Sequence, residues 1–195
     1  MAITYPLATP TSIGIESIEL RAVNSVATSQ SPYTYKQQIV SHGGQKWEAS
    51  VNIPSVRRDL AAGWKAMLVA LKGQEGTFLL GDPDYATPQG TVSSCVITGD
   101  AGKDSVTVVM TGTLKAGDYI QLGSGINSKL HQVLQDQSGN GTLEIWPPLR
   151  STYSSATAVF NSPKGVFRLA NNVTSWSINN ASSYGISFEA VEVIT

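Results

Sequence analysis

Hydrophobic residues in this chain recur mainly with period two, and only one stretch keeps a helical period. From Tyr33 to Ser41, Tyr33, Tyr35 and Ile39 share one face of an extended strand, while Thr34, Lys36 and Gln38 share the other. Gly43-Gly44 follow. Trp47, Ala49, Val51 and Ile53 then alternate with Glu48, Ser50 and Asn52. Two alternating runs around a double glycine predict a β-hairpin turning at Gly43-Gly44, because glycine accepts the positive φ of tight turns. Ile18–Ala22 upstream, and Trp176–Ile178 and Tyr184–Ala190 downstream, predict further strands.

The exception begins after Pro54. Val56, Leu60, Trp64, Met67, Leu68 and Leu71 recur near every 3.6 residues, which predicts an amphipathic helix over about 55–72. Ser55 is placed to cap it, Asp59 suits its first turn, and Lys72-Gly73 suit its end. Gly63 inside the helix costs about 1 kcal/mol relative to alanine. Close approach of a sheet would account for it.

Gly81-Asp82-Pro83-Asp84 and Pro88-Gln89-Gly90 mark a shift in texture. Short strands at Val92–Thr98, Ser105–Met110, Tyr119–Leu122, Leu130–Gln135 and Leu143–Trp146 alternate with glycine-rich turns up to about residue 162, and longer strands resume after Pro163-Lys164-Gly165. The predicted fold class is therefore mainly β. A β-sandwich or split-barrel host domain (1–90 plus 163–195) carries one flanking helix, and a small barrel-like β domain (91–162) is inserted in one of its loops. The alternative organisation is one continuous sandwich of 195 residues.

Composition narrows function by exclusion. Charged residues make up 14% and the net charge is −1, against a usual charged fraction of about 25%. A nucleic-acid binder normally shows a basic stripe that is missing here. A lightly charged surface rich in Ser, Thr, Asn and Gln suits a protein covered by neighbours. The N-terminus lacks the pattern of a secretory signal, and no apolar run reaches the roughly 18 residues of a membrane helix. These features predict a soluble protein made in the cytoplasm.

No catalytic constellation emerges. The single cysteine, Cys95, forms no internal disulfide and reads as a small buried apolar residue. His42 and His131 stand apart without nucleophile or acid partners. Asp82-Pro83-Asp84, with Asp100 and Asp104, lacks the ligand order of a calcium loop and reads as a turn. Gly123-Ser124-Gly125 leads into a strand rather than a helix, unlike a phosphate loop. No cofactor or metal is expected, and an enzyme is not. Of the four tryptophans, Trp146, followed by Pro147-Pro148, is the candidate exposed aromatic for sugar stacking. Trp47, Trp64 and Trp176 fall on apolar faces.

Three phrases carry a family resemblance. One is the helix leading into Gly76-Thr77-Phe78-Leu79-Leu80-Gly81-Asp82-Pro83. Another is Leu114-Lys115-Ala116-Gly117-Asp118-Tyr119-Ile120-Gln121-Leu122-Gly123, with Leu143-Glu144-Ile145-Trp146-Pro147. The last runs from Gly165-Val166-Phe167-Arg168-Leu169-Ala170 to Tyr184-Gly185-Ile186-Ser187-Phe188. In this arrangement the chain resembles the distal tail proteins, minor tail proteins at the tube tip of long flexible-tailed bacteriophages. The resemblance implies a homohexameric ring between the tail-tube protein and the baseplate hub protein. The ring would enclose a channel through which DNA passes without specific binding. It also implies a place in the virion tail tip, assembled in the host cytoplasm, with the inserted domain facing outward. Tyr33, Tyr35, Val40, Arg57 and Arg58 are the candidate subunit contacts. The competing reading is a carbohydrate-binding β-sandwich module for host-surface recognition, centred on Trp146.

Overall fold

The longest alternating segment becomes one strand rather than two. In the computed structural model, which describes residues 3–180 and 182–194, β1 (Ser17–Gln30) and β2 (Gln37–Arg57) form an antiparallel hairpin. Its turn lies at Ser31–Lys36, where the Ser31 N–H donates to the Lys36 carbonyl at 3.0 Å. The predicted turn at Gly43-Gly44 is thereby corrected. Asn24 pairs with Gln45 and Val26 with Ser41, so Ser25 alone faces His42, Gly43 and Gly44. The glycines build a bulge inside β2, with Gly43 at φ +70°. Glycine serves bulge and turn for the same reason, its freedom to take positive φ, so the two look alike in sequence.

The helix α1 spans Arg58–Ala70 and begins later than predicted. Val56 and Arg57 are held in β2 by pairing with the strand that ends the chain, and Ser55 Oγ bonds Ser183 Oγ at 2.7 Å instead of capping. Arg57 occupies the cap position without a side-chain bond. Ala61, Trp64, Met67 and Leu68 form the buried stripe. At the other end Lys72 and Gly73 take positive φ, and the Gly76 N–H returns to the Leu71 carbonyl at 2.8 Å. Gly63 does not face a sheet. A Cβ there would lie 3.4 Å from Pro10 Cβ and Ser12 Oγ, so the N-terminal segment crosses it.

After α1 comes β3 (Phe78–Leu80), followed by β4 (Ser94–Gly99), β5 (Ser105–Thr111), β6 (Thr113–Leu114) and β7 (Tyr119–Leu122). Next are β8 (Lys129–Val133), β9 (Gln137–Ser138), β10 (Gly141–Trp146) and β11 (Tyr153–Thr157). The chain closes with β12 (Gly165–Leu169), β13 (Trp176–Ile178) and β14 (Ser183–Glu192). The chain is mainly β, as its periodicity predicts. β11 escaped the sequence reading because Tyr-Ser-Ser-Ala-Thr carries no apolar alternation.

The first sheet has the order β1-β2-β14-β12-β3, with β13 beside β14. Trp47, Ala49, Val51 and Ile53 of β2 point to its covered face, where Trp64, Leu68, Phe78 and Phe167 complete the core. Removing this apolar surface from water, at roughly 25 cal/mol per Å², is what holds α1 to the sheet. The β3 edge is covered by the N-terminal segment, since the Leu7 N–H donates to the Thr77 carbonyl and the Leu79 N–H to the Leu7 carbonyl, both at 2.9 Å. Among the described residues no strand pairs with the outer edge of β1.

The second sheet runs β11-β4-β5-β10-β8-β7 and curls so that its two ends approach. Just past β11, Val159 exchanges two backbone bonds with Gln121 of β7, at 2.7 and 2.9 Å. This single bridge joins the two ends of the curled sheet, which takes the shape of a small barrel. Its interior is filled by Ile97, Val108, Leu114, Ile120, Leu122, Leu143 and Ile145, with the free Cys95 among them. Leu130 of β8 points instead into the first core.

Candidate assembly surface

β14 pairs with β2 only from Glu48 to Arg57. Beyond the bulge, Val26–Gln30 and Gln37–Ser41 pair only with each other and project as a free arm. Every residue from Pro32 to Gly44 is exposed. Tyr33 is 91% exposed, Tyr35 73%, Ile39 64% and Val40 46%. From Ala22 to Gln45 the only charged residue is Lys36. Free strand edges are normally guarded by charges, prolines or covering elements, and a lone two-stranded hairpin is marginal in water. This arm has open edges, apolar side chains and a single charge. It is built to be covered.

Of the candidate contacts, Tyr33, Tyr35 and Val40 all lie on this arm, with the tyrosines in its turn rather than on a strand face. Tyr35 takes φ +54° there. Arg57 and Arg58 sit at the far end of β2, where β2 passes into α1. The structure therefore separates the two groups. Both arginines are exposed, and no ion pair engages either side chain among the described residues. With Asp59, Ala62 and Ser182 they border a shallow groove of about 520 Å³.

Behind the arm, the barrel joins the sheet through a buried polar cluster that has no signature in the sequence. Arg150, from the barrel, binds Glu192, from the end of β14, and its Nη2 also donates to the Gln45 carbonyl at 2.6 Å. Glu192 Oε2 accepts the Trp47 backbone N–H at 3.0 Å, and Trp47 Nε1 donates to the Leu130 carbonyl at 3.0 Å. Lys129 Nζ donates to the Val193 carbonyl at 2.7 Å. Burial pulls the Lys129 ammonium below its usual range, with Glu192 opposing that shift. His131 is wholly buried and its Nδ1 lies 2.7 Å from the Pro147 carbonyl. A carbonyl only accepts, so Nδ1 carries the proton and Nε2 is left bare. Burial pushes the imidazole down to about 4, with Arg150 and Lys129 adding to the effect and the Pro147 bond opposing it.

Trp146 belongs to this joint, which corrects the expectation of an exposed aromatic. Its ring meets Trp47 edge-on with centroids 4.5 Å apart, and its Nε1 donates to Asn24 Oδ1 at 3.0 Å. An indole packed this way completes the interface between barrel and sheet. It is half-buried rather than exposed. Nothing in the local Trp-Pro-Pro sequence marks a contact with Asn24, which lies 122 positions away.

Other candidates resolve into local structure. Asp82 Oδ1 accepts the Asp84 N–H at 3.0 Å, a side-chain turn within its own loop. Asp118, buried in the barrel, receives the Gln89 and Lys115 N–H groups and the Tyr85 hydroxyl, and so ties the segment between β3 and β4 to the barrel. Among the described residues no group of three or more His, Cys, Asp or Glu could hold a metal ion, and no helix is long and apolar enough to cross a membrane. Neither a scan against models of known protein families nor a search of curated proteins finds a match to this chain.

Proposed function

We propose that this is an assembly protein, a β scaffold whose working surface is a contact surface rather than a catalytic one. More particularly, we read it as a distal tail protein of a long flexible-tailed phage. In that role it forms a homohexameric ring that joins the tail tube to the baseplate hub and surrounds the DNA channel in the virion tail tip.

The observation that carries this reading is the arm from Val26 to Ser41, exposed on all sides, open at its edges and charged only at Lys36. Such an arm gains its stabilisation from a partner surface, and subunits linked head to tail form rings where the rotation between them closes. The resemblance of its sequence phrases to those of the distal tail proteins supports placing that ring at the tail tip. A net charge of −1 suits a channel wall that lets DNA slide without gripping it.

Negative-stain imaging and mass measurement of the purified chain, alone and with the tail-tube protein, test this. Rings of six copies with a central hole are expected. A strict monomer that forms no ring on tail tubes overturns the reading.

A further inference from the structure

Two surfaces lack partners among the described residues: the aromatic arm turn and the arginine-bordered groove. They occupy opposite ends of the same strand. Gln37 opens β2 next to Tyr33 and Tyr35, and Arg57 closes it. At roughly 3.3 Å per residue the two ends lie on the order of 60 Å apart, so the arm of one chain cannot reach its own groove. It can reach that of another copy.

We propose that Tyr33 and Tyr35 at the arm turn of one copy stack on Arg57 and Arg58 in the groove of the next. This deepens the ring reading above and rests on it. The chemistry matches on both sides. The phenol faces carry the negative potential that a guanidinium seeks, and planar guanidinium groups stack on aromatic rings more readily than ammonium does. Tyr33 and Tyr35 are 91% and 73% exposed, and neither arginine is engaged by a carboxylate among the described residues. The contact joins one end of a copy to the opposite end of its neighbour. It is therefore heterologous and repeats from copy to copy until the rotation closes.

Complementation tests this directly. Two variants are made, Tyr33→Ala/Tyr35→Ala and Arg57→Glu/Arg58→Glu, with Arg57→Gln/Arg58→Gln as a milder companion, and thermal melts establish that each folds. In sedimentation velocity each variant alone associates about tenfold or more weakly than the wild type, the loss expected for two such contacts. An equimolar mixture of the tyrosine and arginine variants holds one intact arm and one intact groove, so it forms dimers but no rings. Assembly that persists in either folded variant, or a mixture that yields no dimer, overturns this contact while leaving a ring built on another surface standing. A wild type that stays monomeric at millimolar concentration also overturns it. The ring reading then stands or falls on whether rings form on tail tubes.

Discussion

The Arg150 guanidinium holds the Glu192 carboxylate in a two-bond fork, with Nε 3.1 Å from Oε1 and Nη2 2.8 Å from Oε2. Arg150 comes from the barrel and Glu192 from the last strand of the sheet, and their side chains are only 10% and 2% exposed. The fork is the main ionic link between the two sheets. Its geometry is the bidentate kind that best offsets the cost of taking both charges out of water.

Removing one member leaves the other charged and buried. Arg150→Met should therefore lower unfolding free energy by about 3–5 kcal/mol. The double variant Arg150→Met/Glu192→Gln should lose less, because the introduced amide carries no orphan charge and its oxygen still accepts the Trp47 N–H. Urea denaturation of the three proteins checks this, and a cost below about 1 kcal/mol for Arg150→Met contradicts it.

Close by, His131 makes the joint sensitive to acid. It sits near 4 in the folded chain and about 6.5 once unfolded. Between those values the unfolded chain binds the extra proton, so stability rises with pH there and is lost as pH falls from about 6.5 to about 4. The full loss is about 3 kcal/mol. Lys129 and Arg150 face the imidazole and disfavour its charge, while Glu192, held by Arg150, is the anion of the cluster. Denaturation midpoints at pH 7, 5.5 and 4.5 should fall in that order. His131→Asn should flatten the slope, and an unchanged slope rules out His131 as its source.

Gly63 is open to improvement. Its backbone is helical, and a Cβ meets Pro10 and Ser12 at an ordinary 3.4 Å. Gly63→Ala should raise stability by about 0.5–1 kcal/mol. A fall in melting temperature would show that the N-terminal segment packs too tightly there to admit a methyl group.

The arm should be dispensable for folding. Ile39 and Val40 bury little surface, so Ile39→Thr and Val40→Thr should change unfolding free energy by less than about 0.5 kcal/mol. The same variants should weaken self-association. Equal melting curves with reduced sedimentation coefficients would separate an assembly role from a folding one.

Local rules brought the sequence most of the way to the elements. The Trp47–Ile53 alternation, the buried stripe of α1 and the barrel strand Tyr119–Leu122 are each written within a few consecutive residues, because side-chain period follows directly from backbone geometry. The start of α1 was not legible. Ser55 is a good cap by type, but pairing with β14, more than a hundred residues on, keeps its neighbours in β2.

What the sequence determined by itself is thus the mainly β character, the single helix and the lack of charge on the arm, all properties of near neighbours or of composition. What only the tertiary structure decided is how those pieces are used. Gly43-Gly44 became a bulge because Ser25 lies across from them. Trp146 became a joint residue because Trp47 and Asn24 arrive beside it. Arg150 found Glu192 across 42 positions. Each outcome depends on which distant backbone comes to lie alongside, and no local pattern of side chains encodes that.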